Sequence, residues 1–408
     1  MIGFFNVSDL DTVMALVETF PVTGVESVPL ASALHRTLAE AISSDIDIPG
    51  FDRATMDGYA VRGADTFGAS DGAPAWLSLA GTVGMGEQPV FALSQGEAAA
   101  ISTGGMLPEG ADAVVMVEHT DRVDTETIEV YRSVAPGHHV ITRGEDFQQG
   151  RVILTPGTPL GPAEIGLLAA AGCPTVSVYR RPRVGIISTG DEVVSVTETP
   201  HMAEIRDINT HTLSAMVTEA GGEPFALGIA RDGEGDLEPL LAEALVTCDT
   251  VLISGGSSVG MRDRTLTVMQ GVAGSEVLVH GIAISPGKPT ILARIGDKSV
   301  WGLPGHVASA MVVFEVVVRP FLRAAAGSAA MARPRVPARL SRNIASAQGR
   351  TDFVRVRLVA EEKGYRAEPL PGKSGLIHTM VHADGLLRIE KDTEGLYRDS
   401  DVTVRLLP

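Results

Sequence analysis

The chain has 408 residues, 44% hydrophobic and 20% charged, so it is too apolar for a disordered polymer and long enough for roughly two to four domains with separate cores. A formal charge of −17 argues against nucleic acid or an anionic membrane as a partner, although a local cluster of donors can still hold a small anion. The two cysteines, Cys173 and Cys248, stand far apart without C-x-x-C spacing, which excludes a disulfide framework and a cysteine-built zinc or iron–sulfur centre.

The N-terminus, MIGFFNVSDLD, has no basic leader, and Ser8 is placed to cap a helix whose apolar positions Leu10, Val13, Met14 and Val17 share one face. A second helix or turn is expected around Ala31 to Ala41. Asp47 to Gly58, polar and marked by Gly and Pro, reads as a crossing between domains, and Tyr59 to about Val134 as a small β-rich module. Arg143 to Pro162 is a further strand-and-turn segment. Pro162 to Ala171 is an apolar helix stopped by Gly172 and Pro174. From Arg181 to about Ala326, apolar runs at 184–188, 225–230, 250–254 and 289–295 alternate with helical patterns or Gly-rich loops, which predicts βαβ units around a parallel sheet. The run AMVVFEVVV is broken by Glu315 and closed by Pro320, well short of the ~18 residues of a membrane span, so a cytoplasmic protein is expected. Beyond Arg333, Val354, Val356 and Leu358 alternate with Arg355 and Arg357, and the Lys-Gly pair at 363–364 supplies a hairpin turn, giving a separate β domain.

Two strands of the parallel sheet run into polar loops, STGDE at 188–192 and GGSSVGMRD at 255–263, and in such sheets ligands bind beyond the carboxyl ends of the strands. In the second loop, backbone N–H groups and the hydroxyls of Ser257 and Ser258 suit an anion at a helix N-terminus, with Asp263 placed either to cap that helix or to act on the ligand. Asp191 and Glu192 end another strand. Acidic loop ends facing an anion cradle suit Mg²⁺, which bridges one or two carboxylates to substrate oxygens. Arg206, Asp207 and Asn209 before a helix, and Arg231 and Asp232 after the second strand, either add donors and acids to this rim or serve as caps and surface charges. The first lysine of the chain is Lys288, in ISPGKPT, whose Pro-Gly turn either presents an ammonium to an oxyanion or simply exposes it. Two look-alikes are set aside: PLPGKSG at 369–375 has Ala367 where a P-loop needs Gly, and GTVGMG at 81–86 has the wrong glycine order and no following helix. The histidines show no HExxH or paired metal-ligand spacing.

Taken together, PGFDRATMDGYAV (49–61), ISTGGMLPEGADAVVMVE (101–118), TRGEDF (142–147), STGDE, IRDIN (205–209), SGGSSVGMRD (254–263), PGKP (286–289) and GLPGH (302–306) resemble, in order and spacing, the molybdopterin molybdenumtransferases. These form the bacterial MoeA family, with the gephyrin E domain among its eukaryotic counterparts. The resemblance implies an α/β and β multidomain fold. Its parts are a discontinuous domain I (1–50 and 135–180), an inserted β-rich domain II (51–134), a parallel-sheet molybdopterin-binding domain III (181–326) and a β-barrel-like domain IV (327–408). It also implies a homodimer whose cleft lies between domain III of one subunit and domain II of its partner. The implied reaction takes adenylylated molybdopterin and molybdate, requires Mg²⁺, releases AMP and leaves molybdenum on the dithiolene sulfurs. The molybdopterin adenylyltransferase is a further implied partner. Carried onto this chain, the candidate catalytic residues are Asp57, Thr103, Glu192, Asp232 and Asp263, with Glu192 and Asp263 as metal ligands. The substrate-binding candidates are Ser188, Gly190, Arg206, Asn209, Gly255, Gly256, Ser257, Ser258, Lys288, Pro304 and His306. The chain departs from the family where His306 and Val307 replace Asn-Pro, and where Ser285 and Gly281 stand at positions that are often basic or amide. A tungstate-inserting paralogue, a non-catalytic scaffold and a nucleotide pyrophosphatase on a similar α/β domain remain alternative readings. The acids at 57, 192, 232 and 263 argue against the scaffold.

Overall fold

The computed structural model describes residues 7–233, 235–255, 259–328 and 333–408, with 259–263 described by backbone alone. Its centre is a six-stranded sheet in the order Glu223–Ala230, Arg183–Thr189, Thr250–Ser254, Lys298–Leu303, Ile291–Ile295, Ser275–His280. The first four strands are parallel, and Ile291–Ile295 runs antiparallel to both its neighbours. Ile186, Leu252 and Trp301 lie in register across the middle strands and face one layer, with Leu213 and Val217 of the helix Asn209–Glu219 and with Phe314. Ile187, Val251 and Ile253 face the other layer, with Leu237 and Leu241 of the helix Leu237–Thr247. Burial on both faces is why these strands read as continuous apolar runs and not as alternating ones. The buried aromatic residues gather in the first layer, where Phe321 packs edge-on against Trp301 at 4.9 Å and against Phe20 at 5.7 Å.

Towards the N-terminus, Val25–Pro29 pairs antiparallel with Thr175–Tyr179, and the helix Pro162–Ala170 covers a core of Val28, Leu38, Leu160, Leu168, Val176 and Val178. The outgoing and returning chains of the predicted crossing are zipped together. Ile42–Ser43 pairs with Val152–Leu154 and Arg53–Ala54 with Val140–Ile141, while the Asp47 carboxylate accepts from Arg143 Nε at 2.6 Å and Gln149 N at 2.8 Å. They lead to a curled sheet in the order Ala113–Met116, Gly58–Val61, Glu97–Ile101, Ala75–Val83, Thr127–Val130, Thr120–Arg122. Gly58 is required there, because a Cβ at that position would lie 1.9 Å from the Val115 carbonyl oxygen.

The C-terminal strands Thr351–Glu361, Gly364–Pro369, Arg335–Leu340, Asp401–Leu406 and Gly385–Ile389 close into a barrel, the last pairing back on the first, around Leu340, Val356, Ala367 and Val404. The hairpin turn is made by Glu362 and Lys363, since Glu361 pairs with Gly364, which opens the return strand at φ +122°.

Several local expectations change. Ser8 does not cap the first helix: its N–H donates to the Gly281 carbonyl and its carbonyl accepts from Ala283 N, so the chain enters Leu10–Ala15 through Asp9. Of the helix or turn expected around Ala31 to Ala41 it is the turn that forms, with the short 3₁₀ segment Leu30–Ser32. The helix that begins at Val307 is not closed by Pro320. A π turn, Phe314–Val318, shifts the hydrogen-bond ladder just before the proline, and Arg319–Ala325 continues beyond it. Among the described residues no helix is long and apolar enough to cross a membrane.

Glu315, the acid inside that apolar run, is fully buried. Its carboxylate accepts from Arg333 Nε at 3.0 Å and Arg405 Nη2 at 3.0 Å and lies 3.5 Å from Arg319 Nη1, while Glu219 pairs with Arg333 at 2.8 Å. Arg405 belongs to the barrel and Glu315 to the α/β domain, so this cluster joins the two across their boundary. Glu315→Ala leaves three arginines without their central acid. It is expected to cost about 3–5 kcal/mol, read as a lowered denaturant midpoint of the unit that contains the barrel; an unchanged midpoint would remove this role.

Candidate active site

The strands Arg183–Thr189 and Thr250–Ser254 end side by side, with Ser188 opposite Ser254, and the loops beyond them enclose a pocket of about 240 Å³. Its floor is a buried polar network. Ser188 Oγ donates to Asp207 Oδ1 at 2.9 Å and lies 3.0 Å from Thr210 Oγ1 and 3.3 Å from Ser254 Oγ, and Asp207 Oδ1 also accepts from Thr210 N at 3.0 Å. Asp207 thereby satisfies a free N–H at the start of the helix Asn209–Glu219. Asn209 Nδ2 donates to the Gly305 carbonyl at 2.9 Å, tying that helix to the GLPGH loop. Gly255 leaves its strand at φ +149° directly over Thr189, where a Cβ would stand 2.0 Å from Thr189 Oγ1 and 2.4 Å from its carbonyl oxygen. Only glycine allows the loop to start there. Glu192 and Arg206 line the same pocket, although Arg206 is exposed and donates from Nε to the Glu198 carbonyl at 3.0 Å. Gly190 lies under the Glu192 carboxylate, which a Cβ would meet at 2.7 Å.

Beside this pocket the rim is acidic. Asp191 Oδ1 accepts from Asp232 N at 2.8 Å, Arg231 Nη1 donates to the Asp191 carbonyl at 2.6 Å, and Arg264 donates to the Asp232 carbonyl. Burial, and then the neighbouring Asp191 carboxylate, push the Asp232 acid above the ordinary carboxylate range. Among the described residues no three His, Cys, Asp or Glu side chains converge on a common point. Gly256, Ser257 and Ser258 lie outside the described residues, as does the Asp263 side chain. The helix there runs Val259–Gly271, so Asp263 falls inside it and not at its cap.

A second cavity, of about 530 Å³, opens between the α/β domain and the barrel. Its charged lining is Lys288, Arg350 and Arg355 against the single carboxylate of Asp352, with the hydroxyls of Ser285, Ser309 and Ser374 and the ring of Pro304. Ile284–Ser285 pairs in parallel with Thr351–Asp352, which brings the PGKP turn to the barrel. Arg355 donates from Nη1 to Thr379 Oγ1 at 2.8 Å and from Nη2 to the Gly372 carbonyl at 2.9 Å, and burial holds its guanidinium below the usual arginine range. Arg350 Nε pairs with Asp352 Oδ1 at 2.8 Å. His306 lines both cavities.

Sequence reading missed Arg350, Arg355 and Ser374. Arg355 reads as one of the charged positions of an alternating strand, Arg350 lies just before that strand, and Ser374 lies in the loop set aside as a false P-loop. The available signal was a Gly-Lys-Ser loop rich in small donors, which matters here for where the barrel places it and not for any phosphate motif. Asp57 and Thr103 do meet, since Thr103 N donates to Asp57 Oδ1 at 2.7 Å, but neither lines either cavity of its own chain.

Family models match residues 8–172 as the MoeA N-terminal region (domain I and II), 185–324 as a probable molybdopterin binding domain, and 337–407 as the MoeA C-terminal region (domain IV). The chain belongs to the MoeA family of molybdopterin molybdenumtransferases. A molybdopterin molybdenumtransferase of Haemophilus influenzae is 34% identical over 388 residues, covering 94% of each chain. A putative molybdopterin biosynthesis protein of Methanocaldococcus jannaschii is 37% identical over 391 residues, covering 94% of this chain and 92% of that one. The crystal structure of a molybdopterin biosynthesis MoeA protein of Pyrococcus horikoshii superimposes with a TM-score of 0.85 at 32% identity, covering 98% of this chain and 100% of that one.

Because the folded chain holds the Asp232 proton more tightly than the unfolded chain does, stability falls as pH rises from the ordinary carboxylate range through the raised pKa of this acid. Asp232→Asn is therefore expected to raise the thermal midpoint at pH 7, with the gain vanishing as the pH is lowered below the ordinary carboxylate range. A pH series of melting curves checks this, and a gain that persists at low pH would contradict it.

Proposed function

We propose that this chain inserts molybdenum from molybdate into adenylylated molybdopterin with release of AMP, in a Mg²⁺-dependent reaction, as a cytoplasmic homodimer. The observation that carries this reading is the adjacency of two unlike cavities: a cationic one suited to a tetrahedral dianion, and a polar one at the strand ends suited to a nucleotide-tagged pterin. Lys288, Arg350 and Arg355 supply the charge that attracts the oxyanion, and Ser285, Ser309 and Ser374 supply hydroxyl donors for its remaining oxygens. Ser188, Gly190, Gly255 and Asn209 are assigned to the second substrate, as are Gly256, Ser257 and Ser258, which lie outside the described residues, while Pro304 lines the cationic cavity and His306 both.

A divalent cation would be held by Glu192 and Asp263 and would neutralise charge on the phosphoanhydride. The crowding of Asp191, Glu192 and Asp232, with the Asp232 acid raised, is an excess of carboxylate that a cation relieves. Mg²⁺ takes one or two carboxylates and completes its shell with substrate oxygens, which matches a pair of carboxylate ligands beside a phosphoanhydride. Asp57 and Thr103, joined to each other yet absent from the cavities of their own chain, support a composite site in which each subunit offers this pair to its partner. Within it, Asp57 orients the water that attacks the adenylate, and Thr103 holds a phosphate oxygen beside Gly104. An adenylyltransferase that delivers the activated pterin is the corresponding protein partner.

The test is incubation of the purified protein with adenylylated molybdopterin, Mg²⁺ and either molybdate or tungstate, following AMP release and the metal retained on the pterin. AMP release with molybdenum retained is expected; no AMP release with either oxyanion would overturn the reading. Asp57→Ala and Asp263→Ala are each expected to slow AMP release on the order of 10²-fold or more while the protein still sediments as a dimer. Lys288→Ala is expected to weaken molybdate binding by about tenfold, equivalent to about 1.4 kcal/mol, with a smaller effect on AMP release.

A further inference from the structure

Among the described residues His306 alone lines both cavities, and its ring is held by the barrel: Nδ1 lies 2.8 Å from Ser374 Oγ. The loop that carries Ser374 is itself anchored on two sides. The Ser374 carbonyl accepts from Ala308 N at 3.0 Å, in the helix that His306 precedes, and the Gly372 carbonyl accepts from Arg355 Nη2 at 2.9 Å. Gly372 is packed so closely that a Cβ there would stand 2.6 Å from Thr379 Cγ2. The serine is thus a fixed point and the imidazole an exposed partition resting against it. When one ring nitrogen of a histidine is committed to a neighbour, the other is oriented by that bond. In the tautomer in which Nδ1 accepts from the Ser374 hydroxyl, Nε2–H is the ring's remaining donor, on the residue that lines both cavities.

Resting on the transferase reading above, we propose that His306 is the positioning residue that passes the oxyanion from the cationic cavity to the pterin pocket, and that Ser374 sets its orientation. The step is a transfer of hydrogen bonds only. An oxygen of the dianion, held by Lys288 and Arg355, gains Nε2–H of His306 as it leaves the larger cavity. The ring then turns with it, exchanging the Ser374 contact for the oxyanion, and returns once the oxyanion is released. Holding the ion in the cationic cavity and delivering it to the pterin are thereby separate tasks for different residues.

The two edges of the ring can be tested apart, because an asparagine amide overlays Nδ1 and a glutamine amide overlays Nε2. His306→Asn, His306→Gln and Ser374→Ala are compared with the unmodified protein in two assays. One is calorimetric binding of molybdate alone; the other is the rate of metal retention on adenylylated molybdopterin at saturating molybdate. His306→Asn is expected to keep molybdate affinity within about threefold and to slow metal retention at least tenfold. His306→Gln is expected to recover part of that rate, and Ser374→Ala to fall between the unmodified protein and His306→Asn. Equal losses of affinity and rate in His306→Asn would make His306 an ordinary binding residue and overturn the proposal, as would an unchanged retention rate. Circular dichroism and melting curves identify any variant that fails to fold, and Ser374→Ala, a small change at the loop, then decides between the outcomes. Absence of AMP release and metal retention in the unmodified protein would instead overturn the underlying transferase reading.

Discussion

The cationic cavity exists because one short segment, 281–285, satisfies its backbone on three sides at once. Gly281 N donates to the Thr290 carbonyl and Ile282 N to the Lys288 carbonyl, which closes the PGKP turn on itself at 2.9 Å each. Ser8 brackets the same segment, donating to Gly281 O at 3.0 Å and accepting from Ala283 N at 2.9 Å, while the Ala283 carbonyl accepts from Thr351 N of the barrel at 2.8 Å. Lys288 therefore faces Arg350 and Arg355 only while the N-terminus, the α/β domain and the barrel are all in place. A buried backbone group without a partner is costly, and this shared main-chain pairing resists sliding of one domain past another more than side-chain contacts would.

Around that junction the electrostatics are sorted. Two concentrations of arginine are kept apart: the Glu315 cluster, sealed at the domain boundary, and the lysine–arginine lining of the open cavity. In the first, two acids pair with three arginines and hold the barrel to the helix that begins at Val307. In the second, three cations face one carboxylate, and that imbalance makes a region hospitable to a dianion on a chain whose overall charge is −17. The pocket at the strand ends has the opposite bias, with Glu192 and Asp207 against Arg206. Two environments of different sign thus lie on either side of one imidazole.

The departures from the usual family pattern fall at this same place. His306 stands at the partition between the cavities, Ser285 lines the cationic cavity, and Gly281 lies at the foot of its loop at φ +104°. With a small hydroxyl at Ser285, charge in the cavity rests with Lys288 and the two barrel arginines. Arg355 comes from a strand whose alternation with Val354 and Val356 reads, on periodicity alone, as an ordinary exposed face, and Arg350 immediately precedes that strand.

Read alone, the sequence determined the βαβ sheet, the Gly-marked crossing into a β-rich module, the barrel strands and the polar loops at the strand ends. All of these follow from periodicity and turn chemistry over short spans of chain, where side-chain pattern and backbone hydrogen bonding act locally. Tertiary structure decided what depends on pairings far apart in sequence. Ser8 gave up its cap for a bond to Gly281, the helix passed Pro320 through a π turn, and the loop at 372–375 became a wall of the site once the barrel closed. Arg350, Arg355 and Ser374 have no local signature because their role comes from the cavity that the barrel and the α/β domain enclose together, and no stretch of either contains it.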